Sequence, residues 1–205
     1  MSIEVFENAR GVGWKNIEVQ LVLQCAPLIA GLKLSNLLII PASEEETIQA
    51  VLHHTDISFY RLLKTEEKAV LLLFRRSQLE MYLMKPEVRD IFSEEGYQSF
   101  SLENILYTFR KRYEAYMAGG TQFPHEMGLI LGYPPEDVRG FMKHKGKNFL
   151  YSGYWKVYDN MPGKVKLFQK FDIARNTLVQ LLYEGVCIED ILDICNEEIL
   201  RKAAI

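Results

Sequence analysis

Two strand-forming runs, Ile57–Leu63 and Lys68–Arg75, are separated only by Lys64-Thr65-Glu66-Glu67. Runs rich in β-branched and aromatic residues with so short a connection read as an antiparallel hairpin. A third run, Lys33–Ile40, ends in Leu-Leu-Ile-Ile before Pro41 and reads as another short strand. The helical patterns around them do not alternate with strands one by one. The chain is therefore read as α+β rather than doubly wound: a helix-rich mixed fold with a small sheet of about four strands, one hairpin included, and a C-terminal helical appendage.

Punctuation supports the helices. Ser43 with Glu46, and Ser77 with Glu80, have the spacing of capping boxes, and Ser101 is placed to cap a long helix that Gly119-Gly120 ends. Pro162–Glu184 and Ile188–Ala203 read as the last two helices, and Gly153–Asp159 as a strand. Residues 1–14 look like a loose leader. The expected division is one α+β domain over 1–172 and a helical extension over 173–205, the latter a contact surface for another copy of the chain.

With 205 residues, 48% hydrophobic and 25% charged, the chain has the balance of a soluble globular protein. A net charge of −3 argues against a wholesale nucleic-acid or anionic-membrane binder, so any such contact must come from a local patch. No signal-peptide core and no membrane-length apolar run is present, which leads to an expectation of a cytoplasmic protein without membrane contact. The three cysteines form no paired framework, and no Cys/His pair has metal-ligand spacing. Neither Gly-x-Gly-x-x-Gly nor Gly-Lys-Ser/Thr occurs, and the sequence identifies no cofactor.

Three chemistries compete. The stretch Phe123–Phe141 reads as two short helices about a turn: Gly128 lets them approach, Gly132 takes the turn, and Val138 and Phe141 pack back. With Arg139, Lys143, Lys145 and Lys147 behind it, this resembles a helix-turn-helix. Pro134, Pro135, Glu136 and Asp137 occupy the part that would meet DNA, so nucleic acid is disfavoured. The second chemistry is a thiol site. Pro27 suits the first position of a helix, which would set Cys25 near its N-terminus and stabilise a thiolate. His125 is the best base among the four histidines, and Glu126 is placed to orient it. The third is a binding pocket. If Gly153–Asp159 is a strand, Tyr154, Lys156 and Tyr158 share one face and Trp155 and Val157 the other. An aromatic face with a lysine suits a flat anionic ligand.

Three segments together carry a resemblance: Cys25-Ala-Pro with Ala-Gly-x-Lys33 after it, the long motif from Phe123 to Phe141, and Gly153-Tyr-Trp-Lys-Val-Tyr158. They are similar to the uncharacterised bacterial family labelled domain of unknown function 3793, over roughly residues 18–172. The resemblance implies a small cytoplasmic protein and carries over no catalytic residue. The resulting expectation is an uncharacterised protein with one thiol-based or small-molecule site: Cys25 the nucleophile, His125 the base, Glu126 its orienter, with Lys33, Tyr154, Trp155 and Lys156 contacting ligand. The alternative is a non-enzymatic binding or interaction module using the same helical hairpin.

Overall fold

A computed structural model describes residues 16–120 and 122–203. The expected leader, 1–14, lies outside them. The fold is α+β, 58% helical, with an antiparallel three-stranded sheet and a separate two-stranded one. Contacts divide it into two compact units. The first takes the chain up to Phe74 together with Gln169 onward; the second is Arg75–Phe168. The expected division at residue 172 follows chain order, whereas this grouping follows contacts.

The first unit begins with helix α1 (Ile17–Ile29), capped by Asn16, whose side chain accepts from Glu18 N at 2.8 Å. Strand β1 (Ser35–Pro41), a 3-10 turn (Ala42–Glu44), helix α2 (Glu45–Leu52) and strands β2 (Ile57–Lys64) and β3 (Lys68–Arg75) follow. The sheet order is β1-β3-β2, so the expected hairpin supplies its centre and one edge. Central position explains the composition of β3. Every residue after Lys68 is buried, so both faces need apolar side chains and the run reads Ala-Val-Leu-Leu-Leu-Phe without alternation. β1 pairs with β3 from Ser35↔Phe74 to Pro41↔Lys68. Its outer edge is covered: the Gln24 side chain accepts from Ile39 N and donates to Ile39 O, both at 2.9 Å.

The core of this unit joins Leu21, Val22, Cys25, Leu28 and Ile29 of α1 to Leu38 and Ile40 of β1 and to Leu71 and Leu73 of β3. Leu178, Val179 and Leu182 of helix α8 (Met161–Tyr183) and Ile188 and Ile191 of helix α9 (Ile188–Ala203) complete it. Each such side chain contributes about 1.5–3 kcal/mol on burial.

The second unit is mostly helical: α3 (Arg76–Leu83), α4 (Pro86–Glu94), α5 (Leu102–Met117), α6 (Met127–Ile130) and α7 (Pro135–His144), then strands β4 (Tyr151–Ser152) and β5 (Lys156–Val157) and the start of α8. Leu79, Ile91, Phe92, Ile105, Phe109 and Leu129 are fully buried.

Two sequence expectations change. Gly153–Asp159 is not one strand; β4 and β5 are two residues each, with Gly153–Trp155 between them. The Gly153 N to Trp155 O bond of 3.1 Å closes that turn, so alternation across 154–158 does not apply. Nor do the capping boxes at Ser43 and Ser77 form. Ser43 lies inside the 3-10 turn, and Arg76 already starts α3 ahead of Ser77. Ser101 does cap α5, accepting from Asn104 N at 3.4 Å. Ser101→Ala is therefore expected to lower stability by about 1 kcal/mol, and the exposed Ser43→Ala and Ser77→Ala to change it by less than about 0.5 kcal/mol. Urea unfolding of the three variants checks this; equal losses at all three would contradict it.

Candidate functional site

The strongest candidate lies wholly within the second unit. It is a cavity of about 340 Å³ lined by Phe123, His125, Met127, Leu131, Tyr133, Phe141, Trp155 and Lys156, with Gly128, Asp137, Val138, Ser152 and Gly153. Two glycines let its walls close. A Cβ on Gly128 would lie 2.8 Å from Val138 Cγ2, and one on Gly140 would lie 2.4 Å from Tyr158 Cγ. Only hydrogen at these positions permits α6 to meet α7, and α7 to meet the chain after β5.

Asp137 fixes the far wall. It is 2% exposed, in the first turn of α7. Its Oδ2 accepts from Trp155 Nε1 at 2.7 Å, and its Oδ1 accepts from Tyr158 N at 2.7 Å and Asp159 N at 3.2 Å. Lys164 Nζ lies 3.8 Å away and is bonded to Glu136 at 2.7 Å. A buried carboxylate is tolerated when charge-assisted donors replace its water, and here three do so. Trp155 is thus held in place. Its ring stacks on Tyr133 at 4.8 Å and meets Phe168 edge-on at 4.6 Å. Tyr82 Oη donates to the Tyr133 carbonyl at 2.5 Å, which pins the second ring's backbone.

The polar lining is sparse. His125 sits between Phe123 and Phe141, with ring centroids 5.5 and 5.4 Å away, and its Nδ1 is buried without a hydrogen-bond partner. Lys156 Nζ donates to the Gly146 carbonyl at 2.7 Å and lies 5.7 Å from the Phe141 centroid and 5.0 Å from that of Phe149. These two groups are where a ligand's acceptor or charge can be read. Besides Ser152, and Asp137 with its oxygens already engaged, the remaining wall offers rings and aliphatic surface.

Glu126 does not turn toward this chemistry. It is 1% exposed and accepts from Arg112 Nη1 at 2.9 Å and Tyr97 Oη at 3.0 Å. Burial, then the Glu126 charge, raises the Tyr97 pKa, which keeps that phenol a donor. Arg112 also donates to Glu95 O at 2.7 Å. Glu126, Arg112 and Glu95 line a second cavity of about 480 Å³ with Tyr116, Gln122 and Phe123. The segment Phe123–Glu126 contributes to both cavities, aromatic His125 to one and carboxylate Glu126 to the other.

Cys25 and Lys33 belong to the first unit. Because α1 starts at Ile17, Cys25 lies in its interior, and Pro27 is in the last turn rather than the first. Cys25 is fully buried, and that burial pushes its thiol up to about 12, the reverse of a thiolate at a helix N-terminus. Lys33 Nζ donates to Asn36 Oδ1 at 2.6 Å, and Asn36 Nδ2 lies 3.7 Å from Cys25 Sγ. Burial pulls the Lys33 amine down to about 8.

Of the residues named from sequence, His125, Trp155 and Lys156 line one cavity, and Cys25 and Lys33 meet through Asn36 in the other unit. Tyr154 packs on Phe168 instead, at 5.4 Å. Sequence reasoning missed Asp137 as the clamp and Tyr133 and Phe141 as walls. In sequence Asp137 stands only within the long motif, and nothing local marks a carboxylate whose partner lies 18 residues on.

The chain belongs to the family described as a protein of unknown function (DUF3793), whose model matches residues 21–192. The match covers both units and runs past residue 172, where the sequence resemblance was read to end. No curated protein and no solved structure matches the chain. Among the described residues, no helix is long and apolar enough to cross a membrane.

Losing the clamp would strand Trp155 Nε1 and two backbone amides. Asp137→Ala is expected to cost about 3 kcal/mol and to shift Trp155 emission to the red. Denaturant titration followed by fluorescence measures both; an unchanged midpoint would remove Asp137 as the organiser of this wall.

Proposed function

We propose that this chain is a small-molecule binding protein, and that the cavity of the second unit takes a flat, largely apolar ligand with one anionic or acceptor edge. The observation that carries this reading is the cavity's composition: aromatic walls closed by Trp155, Tyr133 and Phe141, with Lys156 and His125 as its cationic and titratable groups. Its volume of about 340 Å³ suits a bicyclic aromatic rather than a polymer. Stacking against fixed rings supplies affinity, and a single lysine supplies orientation. The Lys156 ammonium already rests between Phe141 and Phe149 and needs only to share its proton donors with a carboxylate.

Naphthoate tests this directly, followed by ¹H–¹⁵N correlation spectra of the full chain. Shifts are expected to concentrate in residues 123–156. Lys156→Gln is expected to weaken naphthoate by about tenfold, equivalent to about 1.4 kcal/mol, while leaving uncharged naphthalene methanol unaffected. Shifts scattered over the surface, or equal losses for both compounds, would sink the proposal.

A thiol–amine site at Cys25 is the second reading, favoured by the hydrogen-bonded run from Lys33 through Asn36 to Cys25. In it, Cys25 is the nucleophile and Lys33 receives the negative charge. This reading requires Cys25 to alkylate with iodoacetamide at pH 7 faster than the exposed Cys187. Mass spectrometry separates the sites. Alkylation at Cys187 with Cys25 untouched until denaturant is added would end it, and a thiol pushed up to about 12 points to that outcome.

A further inference from the structure

A strip on the second unit has a chemistry that neither cavity uses. From Val138 to Tyr158 the sequence contains no Asp or Glu. Within it Lys143, Lys145 and Lys147 are exposed and have no ion partner among the described residues, whereas Arg139 is engaged by Glu94 at 2.8 Å. Three large apolar side chains follow at once: Phe149, Leu150 and Tyr151 are 41%, 59% and 41% exposed. Single exposed apolar residues are ordinary, but three in succession beside three free lysines are not.

The fold holds this strip in place. After α7 the chain turns through left-handed Lys145, Gly146 and Asn148, with φ of 51°, 71° and 56°. Backbone bonds from Gly146 N to Phe141 O, Lys147 N to His144 O and Leu150 N to Val157 O close it. Lys156 then ties both halves together. Its amine bonds the Gly146 carbonyl between two of the lysines and lies 5.0 Å from the Phe149 ring. The cationic and apolar parts are therefore one continuous feature. Tyr151 rests partly against Phe168, at 6.2 Å, and Leu150 is the most exposed of the three.

We propose that this strip docks the protein on the surface of an anionic lipid bilayer, with Phe149 and Leu150 entering the interface and Lys143, Lys145 and Lys147 meeting acidic headgroups. A chain of net charge −3 would otherwise be repelled by such a surface, so the acid-free strip sets which face approaches. Single-stranded nucleic acid fits less well: the Phe149 ring already carries Lys156, the Tyr151 ring rests against Phe168, and Leu150, the most exposed apolar side chain of the strip, offers no ring face. Resting at the interface requires neither a spanning helix nor a basic chain overall. Lys143, Lys145, Lys147, Phe149 and Leu150 line neither cavity, so this inference does not rest on the ligand reading.

Co-sedimentation of the full chain with large unilamellar vesicles tests it. Vesicles of phosphatidylcholine with about 30% phosphatidylserine are expected to pellet the protein, and pure phosphatidylcholine vesicles are not. Raising salt from about 0.1 M to about 0.5 M should release it. The triple variant Lys143→Gln, Lys145→Gln, Lys147→Gln and the single variant Leu150→Ser should each weaken partitioning by about tenfold. All four positions are exposed, and unchanged circular dichroism would show that both variants fold. Three results would overturn the proposal: no pelleting with anionic vesicles, pelleting equal in both variants and the parent, or salt-sensitive binding of oligo-dT by a chain that ignores vesicles. The last would assign the strip to nucleic acid.

Discussion

The second unit depends on one buried carboxylate. Asp137 has its two oxygens shared among an indole N–H and two backbone amides, all donated from the segment that follows β5 or from the turn before it. Remove those donors and the charge would be prohibitive at 2% exposure; supply them and the carboxylate joins the start of α7 to Trp155, Tyr158 and Asp159. The packing that defines the cavity follows from it. Trp155 is held flat against Tyr133, Phe168 braces its edge, and Gly140 permits Tyr158 to lie against the helix. A polar interaction thus shapes an apolar site, because directional bonds set a ring's position where dispersion alone would allow several.

The segment Phe123–Glu126 shows how four residues can serve two environments. His125 is placed among rings, with Nδ1 buried and unpartnered, whereas its neighbour Glu126 is tied to Arg112 and Tyr97. The His-Glu pair that looks in sequence like a base and its orienter is separated in space by this division of labour. Glu126 is instead committed through Oε1, which receives both a guanidinium and a phenol. The basic residues nearby divide similarly. Arg139 is paired and Lys156 is bound to a carbonyl, and the three lysines at the end of α7 remain for solvent or a partner.

Much of the fold was legible because it rests on local rules. The hairpin, the strand before Pro41, the cap at Ser101 and the two closing helices are written in runs, caps and breakers. Where the reading failed, a local rule met a competing one. Pro27 suits a helix start, yet Asn16 caps a helix eleven positions earlier, and Pro27 falls in its last turn, where it forgoes an amide bond to the carbonyl of Leu23. Ser43 and Ser77 have the right spacing for capping boxes, but in each case the helix register is set by what precedes it, a 3-10 turn in one and Arg76 in the other. Tyr154 alternates with Lys156 in sequence, but a turn between two very short strands cancels the alternation.

The amino-acid sequence by itself determined the class, α+β with a central apolar strand, and it marked the long motif and the aromatic segment from which His125, Trp155 and Lys156 come. Those properties are one-dimensional: period, charge and breaker residues act within a few positions. Only the tertiary structure decided that Asp137 is a clamp, that Glu126 is engaged elsewhere, that Cys25 is a core thiol in the middle of a helix, and that the lysines at the end of α7 and just beyond it adjoin exposed Phe149 and Leu150. Each of these depends on burial and on donors supplied from other elements, and neither desolvation nor a hydrogen bond between distant elements leaves a trace in local sequence pattern.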